Sequence, residues 1–340
     1  MDMQLMLLII GLILAFIMSI NMGGNDAANP TSPAVGAGVL NIRRALMIFG
    51  IFTVAGAGLQ GFMVMKTIGK GIVPEIDVLG AISIIIAANI WILFASMRGM
   101  AISTTHSIIS GVIGFGIIKY TISGINASVL GTVALSWVIS PLCSLALAFI
   151  LYRWLISFIA RHGEDLGKKE KYMKLLLVGS LCLGAYSFGA NDVANATGVY
   201  ITITSKLGNI PDFTTMFMLA VFAAVGIVIG GIVIGPKVIE TLAFRVTRLD
   251  LNSALSASLS NALVVYLFTT LPYVLFGFGL PISTSYAAVG AIIGAGLAQS
   301  RTAISKAVAA KLVSFWVITI PGSALLTIAV YLLLRAFIQV

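Results

Sequence analysis

The sequence predicts an all-α polytopic membrane protein made of two inverted repeats, which together cross the bilayer about ten times. Three observations support this fold class: an apolar composition, apolar segments of membrane-spanning length, and two polar motifs that each occur twice. Of the 340 residues, 59% are hydrophobic and only 9% are charged, with a mean hydropathy of +1.10. No soluble fold could bury this much apolar surface.

Apolar segments near the roughly 20 residues that cross a bilayer occur eight times along the chain. They lie at about 3–22, 45–65, 78–97, 127–152, 175–188, 213–235, 253–271 and 312–334. Two shorter apolar runs, at 103–118 and 283–298, bring the number of crossings to ten if each crosses once. The first segment has neither a basic region before it nor a cleavage site after it, so we expect a retained span.

Two polar motifs divide the chain into equivalent halves. The sequence "GGNDAAN" at Gly23–Asn29 recurs as "GANDVAN" at Gly189–Asn195. The sequence "ISTTH" at Ile102–His106 recurs as "ISTSY" at Ile282–Tyr286. Because the motifs keep the same order and a similar offset, the chain is predicted to be an internal repeat in which each copy occupies about half of the sequence.

The repeat predicts the domain organisation. We expect a first transmembrane repeat at 1–160, a short polar linker at 161–174 and a second transmembrane repeat at 175–340. With an odd number of crossings in each half, the second repeat enters the bilayer from the opposite side. This inverted plan is typical of secondary transporters, with broken helices and short helices that meet near the midplane.

The basic residues predict the orientation. Alternating crossings place 15 of the 20 Lys and Arg residues on the side of the linker and five on the other side. Because basic residues are enriched in cytoplasmic loops, we expect a multi-pass protein of the cell membrane with a cytoplasmic linker and both termini outside. The net charge of +9 does not indicate a nucleic-acid partner, because the basic residues form no single patch.

The stretch "NMGGNDAANP" at Asn21–Pro30 directly follows an apolar run, and non-helical backbone survives at membrane depth only when it is buried or lines a wet cavity. We expect a helix break here, because glycines permit unusual dihedrals and a proline removes a donor, which leaves carbonyls free. Both copies of the motif also supply side-chain oxygens, which suit a small hard cation or a proton. The candidate cation-binding residues are Asn25, Asp26, Asn29, Asn191, Asp192 and Asn195, with Asp26 and Asp192 as metal ligands if the ion is Na+.

A structural interpretation of this motif is also open. The asparagines could satisfy broken backbone while the aspartate pairs with a basic neighbour. That interpretation does not require the same carboxylate twice, so the duplication favours a cation site.

The Ser-Thr motifs predict an anion site. Each motif is expected to open a short helix, whose first amides lack intrahelical acceptors and whose dipole favours an oxyanion. Inversion aims the two helix starts at each other, so that they could hold one tetrahedral anion. The candidate anion-binding residues are Ser103, Thr104, Thr105, Ser283, Thr284 and Ser285.

The Ser-Thr motifs allow two other interpretations. Ordinary N-capping is common for Ser and Thr, and it is the better explanation for either motif taken alone. A serine protease is disfavoured, because Tyr286 replaces His106 in the second copy and a hydrolase has no need of a twofold repeat. We therefore expect that the protein is not an enzyme.

These residues resemble the PiT family of inorganic phosphate transporters. The likeness spans nearly the whole chain and rests on the two signatures "GGNDAANP" and "GANDVANA" and on the pair "AISTTH" and "PISTSY". The resemblance implies an inverted-repeat bundle in which the asparagines and aspartates belong to cation sites and the Ser-Thr residues to the phosphate site. The chain departs from the family pattern at Pro30, at Ala101 and at Ser285–Tyr286.

The predicted function is symport of inorganic phosphate with a coupling cation, Na+ or H+, and no cofactor is expected beyond that ion. The alternative is a permease for sulfate or another tetrahedral oxyanion. Asp26 and Asp192 favour phosphate, because phosphate near neutral pH still carries a proton and can donate a hydrogen bond to a carboxylate, whereas a carboxylate only repels sulfate. The expected partners are phosphate, the coupling cation, the lipid bilayer and a second copy in a possible homodimer.

Overall fold

The computed structural model describes residues 3–161, 166–198, 213–246, 248–300 and 305–337, and all regular secondary structure in these ranges is helical. Besides a short 3-10 turn at Ile122–Gly124, these ranges contain thirteen α-helices. In chain order the helices are α1 (Met3–Asp26), α2 (Ala28–Gly36), α3 (Ile42–Gln60), α4 (Phe62–Lys70), α5 (Val78–Met97), α6 (Thr104–Tyr120), α7 (Ala127–Arg161), α8 (Leu166–Thr197), α9 (Phe213–Val233), α10 (Pro236–Phe244), α11 (Leu251–Phe276), α12 (Thr284–Gln299) and α13 (Lys306–Phe337).

Eight helical segments of the described chain are long and apolar enough to cross a membrane. They are the combined α1–α2 together with α3, α5, α7, α8, α9, α11 and α13, and they overlap the eight segments predicted from the sequence. The Ser-Thr helices α6 and α12 are shorter, with 17 and 16 residues. Together these ten elements confirm the predicted all-α membrane protein and agree with about ten crossings.

The helices of the two halves correspond in order, and they pack reciprocally. The equivalent elements are α1–α2 and α8, α3–α4 and α9–α10, α5 and α11, α6 and α12, and α7 and α13. Helix α1 packs on α9 while α8 packs on α3, and α6 packs on α13 while α12 packs on α7. The two halves are therefore interlocked, because each contributes the packing partner of an element in the other.

The predicted break in the Asn-Asp motifs is limited to a one-residue interruption in the first half, and in the second half the prediction is wrong. Helix α1 continues to Asp26, and only Ala27 separates it from α2. Ala27 itself has helical dihedrals, with φ −56° and ψ −25°, and its N–H donates to Gly23 O at 3.2 Å. Pro30 is accommodated in the first turn of α2, where no intrahelical N–H bond is needed. Helix α8 runs through the second motif without interruption, so the backbone offers no free carbonyls there.

The glycines of the motif serve close helix packing instead of unwinding. A Cβ atom on Gly23 would lie 1.8 Å from Ile227 O of α9, and one on Gly189 would lie 2.1 Å from Thr53 O of α3. Both pairs of helices therefore touch backbone to backbone, as small residues allow in membrane bundles. Equally short interruptions occur one span later, at Gly61 between α3 and α4 and at residues 234–235 between α9 and α10.

The region of the predicted linker is partly helical. Residues 162–165 lie outside the described ranges, and α8 already begins at Leu166. The polar residues after this point form the first turns of α8, where Lys174 Nζ pairs with Glu170 Oε1 at 2.5 Å. Among the residues behind the charge asymmetry, Lys206 and Arg301 also lie outside the described ranges.

Each Ser-Thr helix folds back along the span that precedes it. Asp77 caps the start of α5 by accepting the Gly80 N–H at 2.7 Å, and it pairs at 2.9 Å with Lys119 at the end of α6. In the second half, Asp250 caps α11, and the Gln299 amide at the end of α12 donates to it at 3.4 Å. Helices α5–α6 and α11–α12 thus form two antiparallel hairpins. Residues 98–103 and 277–283 connect the helices of each hairpin, and we name these segments tip 1 and tip 2.

Candidate functional site

The two Ser-Thr helices begin where the hairpins meet. Thr105 Oγ1 donates to Ile282 O at 3.0 Å, and Ser285 Oγ donates to Ile102 O at 2.9 Å. All six predicted anion-binding residues lie at this junction, and each is at most 3% exposed. The sequence brings them together because the extended tips end at the Ser-Thr motifs, so the two helix starts face each other across the repeat axis.

Ser103 and Ser283 are the N-caps of these helices. Both have extended backbones, and their hydroxyl oxygens accept the N–H groups of His106 at 3.1 Å and Tyr286 at 3.2 Å. The capping interpretation therefore holds for these two serines. A capping oxygen still has its own proton to donate, so capping does not prevent contact with an anion.

The side chains of the Asn-Asp motifs contact the Ser-Thr helix of the opposite half. The Asn29 amide donates to Thr284 Oγ1 at 3.3 Å and to Ser285 Oγ at 3.1 Å. The Asn195 amide donates to Thr104 Oγ1 at 3.4 Å and to Thr105 Oγ1 at 3.0 Å. The candidate cation and anion residues thus form one polar cluster. In this cluster the asparagine of each half binds the Ser-Thr helix of the other half.

Asn25 and Asn191 hold the hairpins in place. The Asn25 amide donates to Ser96 Oγ at 2.9 Å and Met100 O at 2.8 Å, and its oxygen accepts the Ile102 N–H at 3.0 Å. The Asn191 amide donates to Thr269 Oγ1 and to Leu280 O, both at 2.8 Å. These two residues therefore fix tip 1 and tip 2 against α1 and α8.

The two aspartates are completely buried, and within the described ranges neither forms an ion pair. Asp26 Oδ1 accepts from the Asn29 amide at 3.4 Å and lies 2.9 Å from Ser285 Oγ, whose single proton can be donated either to this oxygen or to Ile102 O. Asp192 Oδ1 accepts from the Asn195 amide at 3.1 Å. A buried carboxylate without a compensating charge is costly. The second oxygen of each aspartate therefore needs a hydrogen-bond donor, a proton or a cation.

In each half the aspartate and the second asparagine of the motif both have an unpaired acceptor oxygen, and Asn191 Oδ1 is unpaired as well. Asp26 Oδ2 and Asn29 Oδ1 are buried without a hydrogen-bond donor from the described chain, and so are Asp192 Oδ2 and Asn195 Oδ1. The members of each pair are three residues apart on one helix face. Nearly all buried polar atoms in folded proteins find partners. Each pair can therefore receive a cation or a proton, and we name the pairs seat 1 (Asp26 and Asn29) and seat 2 (Asp192 and Asn195).

Four aromatic side chains adjoin the junction, and two of them were not predicted from the sequence. His106 stacks between Trp137 of α7 and Tyr286 of α12, and Tyr286 stacks on Trp316 of α13. Trp137 and Trp316 are offset along the chain by nearly the same interval as the two Ser-Thr motifs. That shared interval is the signal in the sequence that could have identified them.

Comparisons with known proteins agree on one family. The model of the phosphate transporter family matches residues 22–167 and 160–327. A provisionally named phosphate permease of Pyrococcus horikoshii is 31% identical, over 94% of this chain and 95% of its own length. A protein of the same provisional name in Thermococcus kodakarensis is 30% identical, over 94% of this chain and 96% of its own. A solved structure titled "The sodium-dependent phosphate transporter" aligns with a TM-score of 0.86 at 28% identity, covering 98% of this chain and 100% of that one.

Proposed function

Because this chain belongs to the phosphate transporter family, we propose that it carries inorganic phosphate across the cell membrane by symport with sodium ions. The protein is a multi-pass membrane transporter and not an enzyme. The observation that carries the proposal of cation coupling is the symmetric pair of seats beside two facing helix starts. Proton-coupled phosphate symport and a sulfate permease are the alternatives that the experiment below distinguishes.

In the proposed mechanism the anion lies between the starts of α6 and α12. The first amides of both helices have no intrahelical acceptor, and both helix dipoles are positive at this end. Thr104 Oγ1 and Thr284 Oγ1 accept from the asparagines, so the hydroxyl protons of both threonines can be donated to phosphate oxygens. The junction would thus supply donors from two sides to a tetrahedral anion.

The proposed sodium ions occupy seat 1 and seat 2. Each seat offers one charged carboxylate oxygen and one neutral amide oxygen, which suit a hard cation. An unneutralised carboxylate beside the junction would repel phosphate, and a bound cation would remove this repulsion. Cation and phosphate should therefore strengthen each other's binding by the same factor, which is the thermodynamic requirement for coupling.

Sodium is favoured over a proton by the solved relative, whose title describes a sodium-dependent transporter. A proton is chemically possible, since a proton on Asp26 Oδ2 would neutralise the buried carboxylate without a metal ion. In either case Asn25 and Asn191 would act mainly by positioning the two tips, because their amide groups are bonded to them.

Uptake of labelled phosphate into proteoliposomes tests the proposal. We expect a sodium gradient to drive accumulation, unlabelled phosphate to compete and excess sulfate to leave uptake unchanged. Accumulation driven by a proton gradient without sodium would establish proton coupling instead. Uptake of labelled sulfate would establish the sulfate permease, and failure of preloaded phosphate to drive counterflow would indicate a channel.

A further inference from the structure

Four aromatic rings form a continuous column beside the proposed anion site. The ring centroids are 3.6 Å apart between Trp137 and His106, 4.4 Å between His106 and Tyr286, and 3.8 Å between Tyr286 and Trp316. Adjacent rings are inclined by 26° to 36°, so all three contacts are close to stacked. We name these four side chains the ring column.

The ring column follows the internal symmetry of the protein. The inner rings, His106 and Tyr286, are equivalent residues of the two Ser-Thr motifs, and the outer tryptophans occupy equivalent places on α7 and α13. The repeat axis therefore passes between the two inner rings. Four helices from both halves, α6, α7, α12 and α13, each contribute one ring.

The inner rings are directly connected to the helix starts. His106 and Tyr286 are each the third residue of their helix, and their N–H groups bind the capping serines Ser103 and Ser283. A displacement of either ring along the column would therefore displace a capped helix start. The separation of the inner rings is linked in this way to the separation of the two starts.

The outer rings are held by rigid supports. Helix α7 packs so closely on α12 that a Cβ atom on Gly290 would lie 2.4 Å from Pro141 O, about one helical turn along α7 from Trp137. At the other end, the Trp316 indole N–H donates to Ala101 O in tip 1 at 3.2 Å. Trp316 thus stacks on one Ser-Thr helix while it binds the tip that precedes the other.

We propose that the ring column sets the distance between the two Ser-Thr helix starts and thereby determines the size of the tetrahedral oxyanion that the site accepts. Stacked rings cannot be compressed without steric overlap, so they act as a spacer of fixed length. This proposal rests on the proposed phosphate function. It predicts discrimination between phosphate and arsenate, which share shape and charge but differ in size.

Substitutions at the end of the column test this inference. In purified protein with sodium, phosphate and arsenate affinities are measured by competition against labelled phosphate. We expect Trp316→Leu to reduce the preference for phosphate over arsenate by about tenfold, as small displacements of binding groups have large effects. Trp316→Phe keeps a ring and should retain most of the preference. The control is Trp154→Leu, which removes an exposed tryptophan stacked on Phe158, outside the column.

Several outcomes would overturn the inference. An unchanged affinity ratio in Trp316→Leu, or an equal loss in Trp154→Leu, shows that the column is only a packing feature. If Trp316→Leu does not fold, Trp137→Leu tests the opposite end and should lower the ratio in the same direction. Absence of phosphate binding by the unmodified protein would instead contradict the proposed function, so the two failures are distinguishable.

A spectroscopic measurement provides independent evidence. In protein carrying Trp91→Phe and Trp154→Phe, the remaining tryptophans are the two outer rings of the column. We expect phosphate addition in the presence of sodium to change their fluorescence, because the anion contacts the helix starts that carry the inner rings. Unchanged emission at saturating phosphate would contradict a connection between the column and the site.

Discussion

Asp26 and Asp192 occupy equivalent positions, yet their hydrogen bonds differ. Ser285 Oγ lies 2.9 Å from both Asp26 Oδ1 and Ile102 O and has one proton to donate between them, whereas the equivalent hydroxyl, that of Thr105, donates to Ile282 O. A hydroxyl donor withdraws part of the negative charge that a cation would otherwise neutralise. The Ser285 hydroxyl therefore distinguishes the surroundings of seat 1 from those of seat 2.

Removal of each carboxylate charge tests the seats. We expect both Asp26→Asn and Asp192→Asn to abolish sodium-stimulated phosphate uptake, because an amide keeps the shape but loses the compensating charge. The stabilisation of the purified protein by sodium, measured by thermal unfolding, should fall in both variants. Glu170→Gln is the matched control, since it removes an exposed carboxylate that pairs with Lys174. Normal sodium dependence in Asp192→Asn would remove seat 2 from the mechanism.

Removal of single hydroxyls tests the anion site. Thr104→Val and Thr284→Val should each weaken phosphate binding by about 1–3 kcal/mol, because a polar oxygen of the ligand loses its donor. Thr327→Val deletes another buried threonine hydroxyl, in α13, and should leave affinity unchanged. Because both threonines would bind one shared anion, the double variant need not show additive losses. A lowered melting temperature with unchanged affinity in both variants would reduce these residues to a structural role.

At the scale of elements, the spans were predicted well from the sequence, but the Asn-Asp motif was misjudged. Span positions follow from local apolar length, so Val78–Met97 was predicted with the bounds that the structure has. The structural role of Gly23 could not be predicted from the neighbouring sequence, because a glycine suits both an unwound backbone and a close helix contact. Only the partner atom, Ile227 O of α9, distinguishes the two.

The grouping of the candidate site was partly predictable. Duplication indicated that the Ser-Thr motifs face each other, and the structure places them at one junction. The exchange across the axis, in which Asn29 contacts Thr284 of the other half, depends on tertiary packing and has no signal in the sequence.

Enlarging a contact glycine tests the close helix packing. A Cβ atom on Gly230 would lie 1.7 Å from Ile20 O, so Gly230→Ala must separate α9 from α1. We expect a loss of about 1–3 kcal/mol in the free energy of unfolding, as found for overpacked cores. Gly179→Ala is the control, because it lies on α8 with nothing within 4 Å of the new atom. Equal melting temperatures of the two variants would contradict the proposed role of the contact.

At the scale of the whole molecule, the charge asymmetry makes a prediction about orientation. In a variant lacking Cys143 and Cys182, Gly167→Cys at the start of α8 should react with an impermeant thiol reagent only from the cytoplasm. Ser123→Cys, in the exposed turn before α7, should react only from outside. The reverse pattern would invert the assigned topology, and labelling of both sites from one side would contradict a membrane crossing by α7, the helix that separates them.

The interlocked halves also predict how fragments behave. Because α6 needs α13 and α12 needs α7, we expect neither residues 1–160 nor residues 161–340 to transport phosphate alone. Co-expression of the two fragments should restore uptake in cells, since each supplies the missing partners of the other. Transport by a single fragment would show that its site is complete without the other half.

The reciprocal packing has a consequence for biogenesis. Every residue of α6 from 104 to 112 is buried, and this stretch includes hydroxyls and a histidine that are costly in hydrocarbon. Its partner α13 is the last of the described helices in the chain, so it is synthesised long after α6. During translation the first hairpin must therefore remain incompletely packed, sheltered from lipid by the insertion machinery or by water. The proposed anion site would then become complete only after the second half has been inserted, so its assembly would be a late step in the maturation of the protein.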